Sequence, residues 1–183
     1  NVISAEVELT NTFESISNAL PATVRDHLTM ANTRARLRMT TLYAFASHHK
    51  MLVAGTGNKI EDFGIGFFTK YGDGGVDLSP IADLMKSQVY ALANELGVVD
   101  SIQQAAPTDG LFADSRSDED QIGATYNELE WAMNFIAEKG NMDLLNPRQQ
   151  EVMKIYQQRH AANRHKIDPV PVCVIPAGLF QSH

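Results

Sequence analysis

Residues 52–75 read LVAGTGNKIEDFGIGFFTKYGDGG and hold seven glycines, two lysines and three acids. Met51 to Ala54 (MLVA) leads into them. So short an apolar run is no helix, and the reading is a buried strand that opens directly into a glycine-rich loop. In open α/β sheets, ligands settle in the crevice beyond the carboxyl ends of the strands, where this strand would deliver Gly55-Thr56-Gly57-Asn58. Glycines let a ligand approach the backbone, and Thr56 and Asn58 both donate and accept hydrogen bonds. Taken alone, the same residues make an ordinary tight βα turn.

Outward from this loop the chain has 183 residues, enough for one sizeable core, and the expectation is a single domain over 1–183. With 44% hydrophobic and 20% charged residues, and no long apolar run, no membrane span is expected. The formal charge of −7 argues against a nucleic-acid binder, although Arg34, Arg36 and Arg38 form a local basic cluster. Cys173 is the single cysteine, which rules out an intrachain disulfide or a cysteine-rich zinc site and fits a cytoplasmic protein. The chain opens without Met or a signal-peptide pattern, so the expectation is that it has been cut.

Asn1 to Val7 reads as a strand or strand exit, and Thr10 to Thr12 offers caps for a helix ending before Pro21. A long helical pattern runs from Ala22 to about His48, with Val24, Leu28, Ala31, Ala35, Leu42 and Phe45 near one side. Ser79-Pro80 is a start signal, and a helix from about Met85 carries Val89, Leu92 and Leu96 before Gly97. Asp114 to Asp120 is polar and reads as mobile. Tyr126, Leu129, Met133 and Ile136 mark a helix ended by Gly140, and Asn146-Pro147 opens another with Val152, Ile155 and Tyr156 apolar. The tail from His165 reads as extended, with a short strand at Val172 to Ile175. Two or three strands among about six helices indicate an α/β layer protein with too few strands for a complete sheet.

Several residues suit nucleotide chemistry. Glu61 is a suitable hard ligand for Mg²⁺, although a solvated helix-start acid is the commoner fate of a lone Glu. Lys70 and Lys86 flank the glycine-dense loop and can neutralise phosphate oxygens, while Asp77 can accept from ribose hydroxyls or an amide. Thr108 adds a hydroxyl in a proline-punctuated turn, and Arg164-His165-Lys166 a basic patch. Each of these has an ordinary surface reading when taken singly.

The ordered set NTRARLRM (32–39), LVAGTGNKIE (52–61), GFFTKYGDGGVDLSPIADLMK (66–86), AAPTDGL (105–111), SDED (117–120) and RHK (164–166) closely resembles the NAD synthetases. The similarity runs from about residue 22 to 168. It implies a Rossmann-like, three-layer α/β fold of the adenine nucleotide alpha hydrolase type, with a parallel sheet, helices on both faces, and the N-terminal strands missing. It also implies amidation of deamido-NAD (nicotinic acid adenine dinucleotide) with ATP, Mg²⁺ and ammonia, the ammonia supplied free or from glutamine.

Carried over motif by motif, Thr56, Lys86 and Thr108 resemble ATP contacts, with Lys86 and Thr108 stabilising charge on the phosphates. Glu61 resembles the magnesium ligand. Arg36, Lys70, Asp77, His165 and Lys166 resemble the positions that hold deamido-NAD. The resemblance further implies a homodimer with the dinucleotide at the subunit interface, the long helix around Arg36 contributing; from its polarity and charge, the loop around residues 113–121 is expected to be mobile and to order over bound nucleotides as a lid. The glycine segment would then admit two nucleotides side by side. The Ser-Gly-Gly-x-Asp-Ser pyrophosphate loop of the family is absent, so these 183 residues alone are expected not to turn over ATP. Two alternatives stay open at this point: another ATP pyrophosphatase, of the GMP synthetase or tRNA-thiolating type, and an inactive nucleotide-binding or dimerisation module.

Overall fold

A computed structural model of the chain describes residues 3–108, 110–111 and 117–180. Helices dominate it: α1 (Thr10–Ala19), α2 (His27–His49), α3 (Lys86–Glu95), α4 (Asp100–Gln103), α5 (Asp118–Ile122), α6 (Tyr126–Ala137) and α7 (Pro147–Ile167). Between α2 and α3 a π-helical turn spans Ile60–Ile65. Among the described residues no helix is long and apolar enough to cross a membrane.

The best-signalled helices begin where their caps lie. Asp26 accepts from Thr29 N–H at 3.0 Å to open α2, and Ser117 and Thr125 cap α5 and α6 in the same way. Asn146 accepts from Gln149 N–H at 2.9 Å with Pro147 following, the arrangement that starts α7. α3 lacks such a residue at its start. Gln88 reaches back to accept from Met85 N–H at 2.8 Å, and Glu130 of α6 accepts from Ser87 N–H at 2.8 Å and Ser87 Oγ at 2.6 Å. Ser79-Pro80 therefore opens a turn rather than a helix, and α3 begins at Lys86.

The core lies where α6 and α7 pack on the π turn. Ile60, Ile65, Leu129, Val152, Met153 and Tyr156 are buried there, with Ile122, Ala124 and Leu145 closing the ends. The π turn ends at Gly66, whose φ of +61° suits glycine and whose absent side chain lets Asn163 of α7 approach; a Cβ would stand 2.5 Å from Asn163 Cβ. Asn163 Nδ2 donates to Ile65 O at 2.8 Å and fixes that contact.

The expected strands are where sequence and structure part. Among the described residues the β-pairing is a single parallel bridge, Ala54 with Leu78, in which Gly55 N–H donates to Leu78 O at 2.8 Å. Val53 is buried, but Met51 and Leu52 stand 66% and 68% exposed, so MLVA is not a buried strand. A parallel strand reads as a continuous apolar run because both its faces are covered, and among the described residues Val53 is the one position of this run that is covered. Residues 3–9 are irregular, and 3–8 are exposed. The valines from 170 to 174 and Ile175 are exposed, with prolines at 169, 171 and 176 removing donors that a ladder needs.

Two further expectations change. The tail starts later than His165, because α7 continues to Ile167. Of the segment 113–121, residues 113–116 lie outside the described residues, and Ser117 caps the short helix α5, whose Asp118 is buried. That end of the expected mobile stretch is built into the fold.

Candidate nucleotide site

The glycine-rich loop delivers two neighbouring clusters. In the first, Glu61 on the π turn accepts through Oε1 from Lys86 Nζ at 2.9 Å and from Tyr126 OH at 2.6 Å. Both members of the ion pair are largely buried, with side-chain exposures of 19% for Lys86 and 15% for Glu61. Asn58 positions Glu61 from behind: its Oδ1 accepts from the N–H groups of Ile60 and Glu61 at 3.1 Å each. The Tyr126 hydroxyl also lies 3.2 Å from Asp118 Oδ2, and the ring sits 4.8 Å from Lys86 Nζ. Burial, then Glu61 and Asp118, push the phenol well above its usual range, so it remains a hydrogen-bond donor. Asp118 N–H in turn donates to Pro107 O at 3.0 Å, anchoring the turn that carries Thr108.

The second cluster lines a cavity of about 690 Å³ between α2, the 66–73 segment and α7, with Arg36, Lys70, His165 and Lys166 in its wall. Arg36 Nε donates to Lys70 O at 3.2 Å, and Lys70 Nζ donates to His165 O, so the cations are cross-tied by backbone rather than by acids. Lys166 Nζ donates to Gly66 O at 2.6 Å and Phe68 O at 2.7 Å. Burial lowers the Lys166 pKa, partly offset by Asp73. A smaller cavity of about 300 Å³ shares Phe68, Lys70, Asp73 and Lys166 as walls and reaches Gly55, Gly57 and Asp62.

Asp62 was not foreseen. Its carboxylate fills the space above Gly57, where a Cβ would stand 2.2 Å from both oxygens. Burial pushes its pKa up to about 6, with Glu61 and Asp73 adding to the rise. Likewise a Cβ on Gly55 would meet Val76 at 2.9 Å and one on Gly74 would meet Phe68 at 2.3 Å. These glycines admit the chain's own side chains, and Gly55, Gly57 and Gly74 also line the smaller cavity.

Of the residues singled out in the sequence, the structure therefore joins Glu61 to Lys86, and gathers Arg36, Lys70, His165 and Lys166 around one cavity. Asp77 stands apart: its carboxylate accepts from Tyr43 OH at 3.0 Å and Val53 N–H at 2.8 Å, tying α2 to the bridge region. Thr56 and Thr108 are exposed and line neither cavity. Tyr126 and Asp118 were missed as site residues. The signal for them was the SDED motif followed by Thr125-Tyr126, where the tyrosine reads as one more apolar position of a helix stripe.

A family model described as NAD synthase matches residues 1–170. The chain belongs to the NAD synthase family. Among its relatives, the NH(3)-dependent NAD(+) synthetase of Mycoplasma genitalium is 39% identical over 153 residues, 83% of this chain and 59% of that protein. That of Mycoplasma pneumoniae is 39% identical over 162 residues, 88% of this chain and 61% of that protein. The chain thus spans about three fifths of the curated NAD synthase relatives it matches. Among solved structures, NMN synthetase from Francisella tularensis superposes with a TM-score of 0.73 at 29% identity, covering 93% of this chain and 65% of that one. The NH3-dependent NAD synthetase from Campylobacter jejuni gives a TM-score of 0.69 at 22% identity over 92% of this chain and 64% of that one, a likeness of fold.

Proposed function

We propose that this chain is the synthetase portion of an enzyme that amidates the nicotinate carboxylate of deamido-NAD with ATP and ammonia. The observation that carries the reading is the gathering of Arg36, Lys70, His165 and Lys166, from three separate parts of the chain, around the larger cavity. A dinucleotide carries two phosphates, and cations held by backbone carbonyls remain available to them. The shared wall with the smaller cavity leaves room for a substrate that extends past one compartment.

A carboxylate resists ammonia because it is anionic and would have to expel oxide. Attack of its oxygen on the α-phosphorus of ATP releases pyrophosphate and leaves an acyl adenylate. Ammonia then attacks the acyl carbon, and AMP departs with that oxygen. Lys86 supplies positive charge to the phosphates as negative charge builds there. Thr56 and Thr108 are the further ATP contacts in this reading, and Asp77 is a further deamido-NAD contact at the edge of the site.

The residues fit Mg²⁺, which uses one or two carboxylates together with substrate phosphates and water rather than an all-protein cage. Among the described residues no group of three or more His, Cys, Asp or Glu is placed to hold a metal alone. Glu61 would hold the ion, which when bound offsets the charge of the departing pyrophosphate. The bridge between Ala54 and Leu78 is the part of a parallel, helix-covered sheet that this chain supplies. The protein acts in the cytoplasm as a homodimer, with α2 at the contact.

The test is to incubate the protein made from its full coding sequence with deamido-NAD, ATP, Mg²⁺ and ammonium. NAD, AMP and pyrophosphate in equal amounts are expected. Pyrophosphate release that ignores deamido-NAD, or that depends on XMP or tRNA, would overturn the reading. The likeness to NMN synthetase favours a second substrate, nicotinic acid mononucleotide, and kcat/KM for the two acids measured side by side decides between them.

A further inference from the structure

We propose that Tyr126 is a positioning residue for this reaction: its hydroxyl and ring together fix the Glu61–Lys86 pair and link it to α5 through Asp118. The assignment of a reaction step rests on the function proposed above. The contact itself does not.

Lysine carries its charge on a flexible stem, so a lysine that must meet a phosphate needs something to hold it. Tyr126 touches both partners by different chemistry. Its hydroxyl donates to Glu61 Oε1 at 2.6 Å, the same oxygen that accepts from Lys86 Nζ at 2.9 Å. Its ring lies 4.8 Å from Lys86 Nζ, within the range at which a cation is attracted to an aromatic face. A phenol has a single proton to give. The closer oxygen, on Glu61, takes it, and Asp118 Oδ2 at 3.2 Å is the second acceptor within reach. When substrate draws Glu61 away, the proton has Asp118 to turn to.

Tyr126 is itself well held. It is 5% exposed, its backbone N–H donates to Glu119 Oε1 at 2.8 Å, and Thr125 caps the helix it begins. Glu119 and Asp118 both belong to α5, so a shift of that helix would reach Glu61 and Lys86 through this one side chain. A tyrosine that merely fills the core needs a partner for its hydroxyl, but not one shared with a lysine.

The experiment is a double-mutant cycle with Tyr126→Phe, which keeps the ring and removes the hydroxyl, and Glu61→Ala, which removes the carboxylate that accepts from it. Thermal unfolding is followed without metal or nucleotide, with circular dichroism to show that each variant folds. The two substitutions are expected to couple, the double variant losing less than the two single losses combined. On the full-length protein, Tyr126→Phe is expected to lower kcat about tenfold or more while KM for deamido-NAD moves less than twofold. Additive thermal losses would overturn the proposal, because the hydroxyl would then not act through Glu61. Coupled losses with unchanged kcat would also overturn it, leaving a structural tyrosine. Should the wild-type protein make no NAD, the proposed function falls, while the cycle, which needs no substrate, still decides whether Tyr126 holds the pair.

Discussion

Asp62 is the residue whose position carries an unfavourable free energy. Its carboxylate sits above Gly57 with Glu61 and Asp73 nearby, and its pKa rises to about 6 from an ordinary 3.8, chiefly through burial. The folded state therefore binds a proton more tightly than the unfolded one. Stability is lowered above pH 6 and recovers as pH falls through the window from about 6 to about 4. Asp62→Asn removes the charge and keeps the shape. It is expected to raise stability by about 1–2 kcal/mol at pH 8, discounted for partial solvent screening, and by almost nothing at pH 4. Urea melts at the two pH values check this, and an equal gain at both would refute the linkage. None of this was legible beforehand, because two acids in succession, Glu61-Asp62, carry no mark that one meets Lys86 and the other packs over Gly57. At Gly66 the constraint is steric: with φ at +61° and Asn163 Cβ 2.5 Å from an added Cβ, Gly66→Ala is expected to cost on the order of 2 kcal/mol or more, measurable in the same melts.

At the scale of elements, α6 and α7 hold the site because they clamp the π turn that carries Glu61. Glu128 does double duty there. It caps α6 by accepting from Thr125 N–H at 2.9 Å, and it receives Arg148 of α7 through two bonds of 2.8 Å each. Arg148 is the main reason its pKa falls to about 2. Glu128→Ala is expected to destabilise by about 1–2 kcal/mol, since the cap and an ion pair partly open to solvent go together. Leu129, fully buried on the next position, sets the comparison: Leu129→Ala is expected to cost about 2–5 kcal/mol by leaving a cavity. Chemical denaturation of both variants tests the order, and a larger loss for Glu128→Ala would show that the clamp outweighs the core. α6 and α7 were readable from sequence, α6 from the apolar stripe Tyr126, Leu129, Met133 and Ile136 and α7 from the Asn146-Pro147 start, whereas α5 was read as mobile and α2 was begun at Ala22 rather than after its cap Asp26. The strands were not, since MLVA looks buried only if layers exist on both sides of it, and four residues cannot report on their neighbours.

At the scale of the whole molecule, α2 shows what the chain leaves uncovered. Ala31, Ala35 and Ala46 are buried against the rest of the chain, but Leu28, Leu42 and Phe45 on the same helix are 63%, 56% and 42% exposed. Single exposed apolar residues need no explanation, yet a row of them along one helix marks an interaction surface. The sequence pattern grouped Val24, Leu28, Ala31, Ala35, Leu42 and Phe45 near one side of the helix; the structure divides them, burying Ala31 and Ala35, exposing Leu28, Leu42 and Phe45, and leaving Val24 in a turn before α2. Arg36 lies between Leu28 and Leu42 and lines the larger cavity, so a contact along α2 would bear directly on the proposed dinucleotide site. In the homodimer proposed above, a second copy would pack there. Phe45→Glu places a charge where the contact needs apolar surface, and burying it unpaired is costly. Light scattering on the full-length protein is expected to give twice the chain mass for wild type and the single chain mass for Phe45→Glu, with KM for deamido-NAD rising about tenfold as Arg36 loses its support. A wild-type protein that runs as a monomer yet forms NAD would end the dimer reading and leave α2 to some other cover.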